Sequence, residues 1–162
     1  MKRALLTVLI LLAALLAGLA VRTWCFTAVT VAGTSMNDTL LSGDVVLVVR
    51  FGSIHNGDVV QTSFSGRSGS YIKRVVGLPG DVVEYAGGSL ILNGRPLSEP
   101  YVSSPTEDMR IALGEDEYFL LGDNRAESYD SRAEDMGCVS RSQILGRVQW
   151  ILWPVSRFGP VE

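Results

Sequence analysis

Ser35 is placed where its hydroxyl could act as a nucleophile. It follows Gly33 and Thr34 on a short turn between two strand-like runs. Glycine adopts backbone angles that other residues avoid, so Gly33 would let a substrate approach closely. The backbone N–H of Ser35 could then face an oxyanion. By itself, the pattern is more often an ordinary turn rich in serine and threonine.

Lys73 lies in the apolar segment Tyr71–Val76 and could act as a base. Strand alternation puts Lys73 on one face and Arg74 on the other, so one cation points towards apolar neighbours whichever face is buried. Burial disfavours the ammonium form and lowers the pKa of lysine. Such a lysine can accept a proton from a serine hydroxyl near neutral pH. The same pattern is commoner for an edge-strand lysine whose amine reaches solvent.

A polar loop, residues 122–132, follows the apolar segment Phe119–Leu121. It could fix its own shape through internal ion pairs and offer hydroxyl groups to a site. Its composition alone favours a solvated turn.

The composition excludes several other chemistries. The 162 residues include one histidine, His55, and two cysteines, Cys25 and Cys138. A disulfide framework and a four-cysteine zinc site are therefore excluded, while a single bridge between the two cysteines stays open. The net charge of −3 gives no electrostatic basis for binding nucleic acid. We expect no metal and no cofactor.

The start of the chain is typical of a membrane anchor. Lys2 and Arg3 precede the uncharged run 4–21, and Arg22 alone follows it closely. As a helix, this run would span about 27 Å, near the hydrocarbon thickness of about 30 Å. The positive-inside rule predicts a cytoplasmic N-terminus. A cleaved secretory signal is the competing interpretation, although the run is long for one. We predict an anchor at 1–22 and an extracytoplasmic domain at 23–162.

The remainder is expected to be mainly β, built of short antiparallel strands after the single transmembrane helix. Turn residues recur about every 8 to 15 residues, and no later stretch has a long helical period. The polar segment 100–114 is expected to form a loop or an insertion. Strands are predicted at 27–31, 44–49, 58–62, 71–76, 81–85, 89–92, 117–121 and 148–152.

The three polar segments together resemble the motifs of bacterial type I signal peptidase, a membrane-bound serine–lysine endopeptidase. Ser35–Leu40 is similar to the family pattern Ser-Met-x-Pro-Thr-Leu, with Asp38 in place of the proline. The second motif is matched by 71–81 and the third by 122–132. Their order and spacing agree from the anchor to the C-terminus.

The resemblance implies a role for each matching residue. Ser35 would be the nucleophile, Lys73 the general base and Ser128 the hydroxyl that orients the lysine amine. The Ser35 backbone N–H would form the oxyanion hole at a turn where Gly33 replaces a serine found in many members. Ion pairs and hydrogen bonds that brace the site would come from Arg74, Asp123, Asp130 and Arg132.

The resemblance also implies the substrate and the location. The chain would cleave signal peptides from secreted preproteins after small residues, in the pattern Ala-x-Ala. It would be a monomer in the plasma (inner) membrane, crossing the bilayer once, with its peptidase domain outside the cytoplasm.

Three alternatives remain at this point. Asp38 adds a negative charge near the site, which would hold Lys73 protonated if it pointed inward, although we expect it to point outward. That departure would suit an inactive, membrane-tethered binding module. A specialised relative could process a pilus or conjugation protein. A self-cleaving repressor with Ser–Lys chemistry would need a DNA-binding domain where this chain has its apolar run.

Overall fold

One N-terminal helix, eleven strands and three short 3-10 helices make up the regular structure of the described residues. The computed structural model describes residues 2–102 and 104–161, and the side chains of residues 2–5, 8, 17 and 20–23 lie outside the described part. Helix α1 spans Lys2–Cys25. The strands are β1 (Phe26–Thr30), β2 (Val45–Val49), β3 (Val59–Thr62), β4 (Tyr71–Gly77), β5 (Val82–Ala86), β6 (Ser89–Leu92), β7 (Arg95–Leu97), β8 (Met109–Ala112), β9 (Phe119–Leu121), β10 (Ile144–Trp153) and β11 (Gly159–Pro160).

Helix α1 contains most of the predicted anchor, 1–22. Residue 1 and the side chains of several other positions in that segment lie outside the described part. Among the residues that are described, none forms a helix with both the length and the apolar character needed to cross a membrane. Apolar side chains of α1 that are described, including Ile10 and Leu11, are exposed. The anchor stays a prediction.

The larger sheet has seven strands and carries the polar segments of interest. Its order is β1-β2-β10-β3-β4-β9, and β11 pairs with β10. All of these pairings are antiparallel, as predicted. Strand β4 lies between β3 and β9, with Arg74 opposite Val59 on one side and Leu121 on the other. An interior strand therefore holds both Lys73 and Arg74.

Both faces of β4 are covered by apolar side chains. Ile72 packs on one cluster with Val46 and Leu40, whereas Val75 belongs to a second cluster with Leu120. Val76 joins a third cluster that includes the smaller sheet. Lys73 and Arg74 are each only 2% exposed. Lys73 is thus not an edge-strand lysine that reaches solvent.

The smaller sheet has the order β7-β6-β5-β8 and lies between β4 and β9 in the chain. Val83 and Tyr85 of β5 pack with Phe119 and Leu121 of β9, which joins the two sheets. The prediction that 100–114 is a loop or insertion is wrong for β8. That strand pairs with β5 and alternates between half-buried and exposed residues. Four residues of alternation in a polar stretch are too short a signal to stand out.

Candidate active site

The turn that carries Ser35 follows β1 and is fixed by two buried side chains. Met36 is 2% exposed and Leu40 is fully buried, so both anchor the turn to the core. Gly33 has φ +89°, a left-handed conformation that is unfavourable for residues with a Cβ atom. Asp38 is exposed, so its charge points outward as predicted.

Lys73 meets two serine hydroxyls at the end of its buried side chain. Its Nζ donates to Ser35 Oγ at 2.8 Å and to Ser128 Oγ at 3.2 Å. The three residues come from a turn, an interior strand and a loop that are far apart in sequence. When the amine is neutral, its lone pair can instead accept the Ser35 proton across the same short contact.

The surroundings of Lys73 favour the neutral amine. Burial is the largest effect, and it lowers the pKa of Lys73 from 10.5 to about 8. The positive charge of Arg132 also lowers it, whereas the carboxylates of Asp130 and Asp123 raise it. A useful fraction of Lys73 is therefore deprotonated at mildly alkaline pH, which free lysine is not.

Arg74 and Asp123 form a buried, two-point ion pair directly beside Lys73. Arg74 Nε donates to Asp123 Oδ1 at 2.8 Å, and Nη2 donates to Oδ2 at 2.7 Å. Thr39 Oγ1 donates to Asp123 Oδ2 at 2.5 Å, and Arg74 Nη1 donates to the Gly57 carbonyl at 2.8 Å. The pair therefore links β4 to the Ser35 turn and to the loop after β9. Thr39 lies inside the first motif, but its role was not predicted.

A second ion pair shapes the loop around Ser128. Arg132 Nε donates to Asp130 Oδ1 at 2.8 Å, and Arg132 Nη2 donates to the Ser128 carbonyl at 3.1 Å. The Gly122 N–H donates to Asp130 Oδ2 at 3.0 Å. Although burial raises it, the hydrogen bonds from Arg132, Ser128 and Gly122 hold the pKa of Asp130 below its usual range. The Asp130 carboxylate stays charged and keeps the loop closed.

Two residues that the sequence did not single out join the turn to the loop. The Asn124 N–H donates to the Ser35 carbonyl at 3.0 Å, and Asn124 Nδ2 donates to the Thr34 carbonyl at 3.2 Å. Gly122 packs so tightly that a Cβ atom there would overlap both the Ser128 hydroxyl and the Ser35 carbonyl. No motif spacing reveals these contacts, because they depend on how the two segments dock.

A groove of about 230 Å³ leads to Ser35 and Lys73. Its walls are the end of β1 with the residues after it, 29–33, and the start of β4, 70–73. Gly33 lies in this lining. In the described part of the chain β1 pairs only with β2, so its other edge can accept an extended peptide.

Neither metal binding nor a cysteine bridge is built into the described residues. No cluster of three histidine, cysteine or carboxylate side chains there could hold a metal ion. Cys25 and Cys138 are both free thiols. His55 is exposed and lies near Asp58, far along the chain from the Ser35 turn. The groups that meet around Lys73 Nζ are the hydroxyls of Ser35 and Ser128.

Comparison with known proteins shows the family of the chain. The family model of signal peptidase, peptidase S26, matches residues 3–153. The chain belongs to the signal peptidase family. It is 34% identical over 159 residues to signal peptidase I P of Bacillus subtilis subsp. natto, covering 88% of this chain and 85% of that protein. It is 34% identical over 156 residues to signal peptidase IB of Staphylococcus aureus (strain N315), covering 82% and 80%.

A solved structure supports the same family assignment. The crystal structure of a signal peptidase I from Enterococcus faecalis V583 matches with a TM-score of 0.56 and 29% identity. The match covers 60% of this chain and 97% of that one. The resemblance predicted from the three motifs is confirmed, and the chain is a serine peptidase, a hydrolase, by its family.

Proposed function

We propose that this signal peptidase family member cleaves signal peptides from preproteins with Ser35 as nucleophile and Lys73 as general base. The observation that carries the proposal is the 2.8 Å contact between Lys73 Nζ and Ser35 Oγ, with the lysine 2% exposed. A base must lie within hydrogen-bond reach of the proton it removes and have a pKa near the working pH. Lys73 meets both conditions.

The mechanism runs through an acyl-enzyme. Neutral Lys73 takes the proton of Ser35 as the serine oxygen attacks the scissile carbonyl. The ammonium of Lys73 then gives that proton to the leaving amine, and Ser35 remains esterified to the signal peptide. Lys73, neutral again, removes a proton from a water molecule that attacks the ester. When that intermediate collapses, the bond to the Ser35 oxygen breaks, the Lys73 ammonium returns its proton to this oxygen, and the signal peptide leaves with a free carboxyl group.

An oxyanion forms in both tetrahedral steps, and backbone groups of the Ser35 turn stabilise it. Within the described residues, the Ser35 N–H has no hydrogen-bond acceptor, so it is free to donate to the oxyanion. Gly33 has no side chain to block the approach, and the space beside it is open.

The remaining matched residues hold the reacting groups in place. Ser128 accepts a hydrogen bond from Lys73 Nζ and so orients the amine towards Ser35. The pairs Arg74–Asp123 and Asp130–Arg132 fix β4 and the Ser128 loop. These five residues position the nucleophile and the base but need not touch the substrate.

The groove beside Ser35 supports an extended substrate with small side chains. Side chains of an extended peptide alternate, so the first and third residues before the scissile bond would face the same wall. The groove is small, about 230 Å³, which suits small side chains such as alanine at these two positions. We therefore propose cleavage after Ala-x-Ala.

Location follows from the segment before β1. We propose that residues 1–22 anchor the chain in the plasma (inner) membrane with a cytoplasmic N-terminus, and that 23–162 form an extracytoplasmic, monomeric peptidase domain. The exposed leucines of α1 support a lipid-facing helix. A variant that lacks 2–22 should leave the membrane fraction, whereas retention there would contradict the anchor.

The decisive test is cleavage of a preprotein with an Ala-x-Ala site by the purified full-length chain. Ser35→Ala and Lys73→Ala should each lose at least about a thousandfold in kcat while remaining folded, because each removes one half of the reacting pair. Ser142→Ala, an exposed serine outside the site, is the matched control and should cleave normally. Cleavage that persists in either site variant would refute the proposed pair.

A further inference from the structure

The segment Glu99–Tyr101 links the smaller sheet to two arginines of the candidate site. It lies between β7 and β8 and includes two side chains that point to different parts of the site. Glu99 contacts Arg125, and Tyr101 contacts Arg74. We refer to Glu99–Tyr101 as the strap.

The first contact of the strap is a buried ion pair. Glu99 Oε1 accepts from Arg125 Nη2 at 2.5 Å, and the two side chains are 8% and 1% exposed. Tyr85 donates its hydroxyl to Glu99 Oε2 at 2.9 Å and accepts from Arg125 Nη1 at 2.8 Å. Arg125 Nη1 also donates to Thr106 Oγ1 at 2.7 Å. The smaller sheet and its loops therefore supply the acceptors for the Arg125 guanidinium outside its own loop.

Arg125 in turn sets the position of Ser128. It begins the 3-10 turn Arg125–Glu127, and Ser128 is the next residue. Its Nε donates to the Gly122 carbonyl at 3.0 Å, and its own carbonyl accepts from Arg132 Nη2 at 2.8 Å. A shift of the Arg125 side chain is transmitted to Ser128 through one short turn.

The second contact of the strap reaches the strand of the base. The guanidinium carbon of Arg74 stands 3.8 Å from the centre of the Tyr101 ring, in a close cation–π contact. Arg74 is the residue after Lys73 and binds Asp123 through two hydrogen bonds. The ring covers the guanidinium and keeps the Arg74–Asp123 pair dry.

We propose that Glu99 and Tyr101 are positioning residues that hold Ser128 and Lys73 in register through Arg125 and Arg74. The inference rests on the proposed function, because it assigns a purpose to contacts around the same reacting pair. The strap touches neither the groove nor Ser35. Its loss should change how the lysine amine is aimed, without changing how an extended substrate is held.

Removing either contact should loosen the amine of Lys73. Without the Glu99 carboxylate, Arg125 keeps a buried charge with only neutral partners in the smaller sheet, and it will move to find water. Without the Tyr101 ring, water reaches Arg74 and the strand beside it. Misplacement of a catalytic group by about 1 Å can cost up to a hundredfold in rate. We expect a loss in kcat of about tenfold for each change.

The test compares four variants of the full-length protein in preprotein cleavage. Glu99→Gln and Tyr101→Leu remove the two contacts. Tyr101→Phe keeps the ring over Arg74 and loses only a 3.4 Å hydroxyl contact, so it should restore kcat. Glu84→Gln is the matched control, because Glu84 forms an exposed pair with Arg110 in the same small sheet. KM should stay within about twofold of the parent in all four, since the groove is untouched.

A spectroscopic readout separates positioning from a loss of folded protein. The sequence has two lysines, Lys2 and Lys73, so lysine labelled with carbon-13 at Cε gives a site-resolved titration. In Tyr101→Leu and Glu99→Gln, water entry should raise the pKa of Lys73 from about 8 towards 10.5, because burial is the main cause of its lowering. A strap that only adds stability would leave kcat per folded molecule and this titration unchanged.

The outcomes are distinct for the two proposals. Unchanged kcat and an unchanged lysine titration in both Glu99→Gln and Tyr101→Leu would overturn the strap. So would Tyr101→Phe losing as much kcat as Tyr101→Leu, since the ring would then not matter. Lys73→Ala run in parallel reports on the proposed function: its continued activity would overturn the reacting pair itself, whatever the strap variants do.

Discussion

Gly122 and Ser128 lie so close together that a side chain at position 122 would occupy the place of the Ser128 hydroxyl. The same Cβ atom would overlap the Ser35 carbonyl, which accepts from the Asn124 N–H. The nucleophile turn and the Ser128 loop are therefore docked through a contact that only glycine permits.

Gly122→Ala should lower kcat by about a hundredfold, because the added methyl group must push Ser128 or the Ser35 turn out of place. Preprotein cleavage measures the effect. Gly114→Ala is the control, because Gly114 faces only the flexible side chain of Glu117 and should cleave normally. A Gly122→Ala enzyme with parental kcat would show that the loop can move aside without consequence.

The cleavage rate should depend on the protonation state of Lys73. The lysine must be neutral to act as a base, and the pKa of Lys73 is lowered to about 8 by burial. The value of kcat/KM should therefore rise about tenfold for each pH unit below 8 and level off above it. Asp38→Asn should leave this profile unchanged, because Asp38 is exposed. A midpoint near 10.5 would mean that the amine is not desolvated in the working enzyme.

Lys73 should also reduce the stability of the folded protein below pH 8. The pKa of Lys73 is lower in the folded protein than in the unfolded chain. The charged lysine is therefore less favourable in the folded protein, and this difference reduces the free energy of unfolding. The cost is full below pH 8, shrinks as the pH rises from 8 to 10.5, and is absent above. Lys73→Met should raise the free energy of unfolding by up to about 3 kcal/mol at pH 7.

Urea unfolding of Lys73→Met and the parent at several pH values measures this difference. The gain in stability should disappear above pH 10.5, where Lys73 is neutral in both the folded and the unfolded protein. A gain that is the same at every pH would point to better packing of methionine rather than to the charge.

The buried pair Arg74–Asp123 should be costly to break from one side. Asp123→Ala leaves the Arg74 charge without its carboxylate in a site 2% exposed, so the free energy of unfolding should fall by about 3–5 kcal/mol. Arg110→Ala removes one partner of an exposed pair and should cost no more than about 1 kcal/mol. Urea unfolding compares the two, and a similar small cost for both would contradict the role of burial.

Much of the fold follows from local patterns in the sequence. The β-branched run 45–49 forms β2, and the segment 89–92 forms β6 with the predicted bounds. Strand β7 was not predicted, because its three residues are all exposed and one is Pro96. Strand β7 depends on its pairing with β6, and a local sequence pattern does not reveal that pairing.

The sequence motifs predicted which residues belong to the candidate site. They did not predict the contacts that depend on how separate segments of the chain pack. Alternation showed that either Lys73 or Arg74 would face apolar neighbours, but the burial of both depends on three separate clusters around β4. Glu99 follows β7 of the smaller sheet, whereas Arg125 lies 26 positions later in the loop after β9 of the larger sheet. Their pairing depends on how the sheets pack, which periodicity cannot reveal.

The smaller sheet leaves the larger one after β4 and returns to it at β9, and these two strands are direct neighbours. Neighbouring strands are about 4.8 Å apart, a gap that a short hairpin can bridge. Residues 78–118 are therefore an excursion from a scaffold that is continuous without them. A shortened chain with a tight connection in their place would keep the groove, Ser35 and Lys73 but lose the strap, so its residual activity would show how far the larger sheet alone can align the reacting groups.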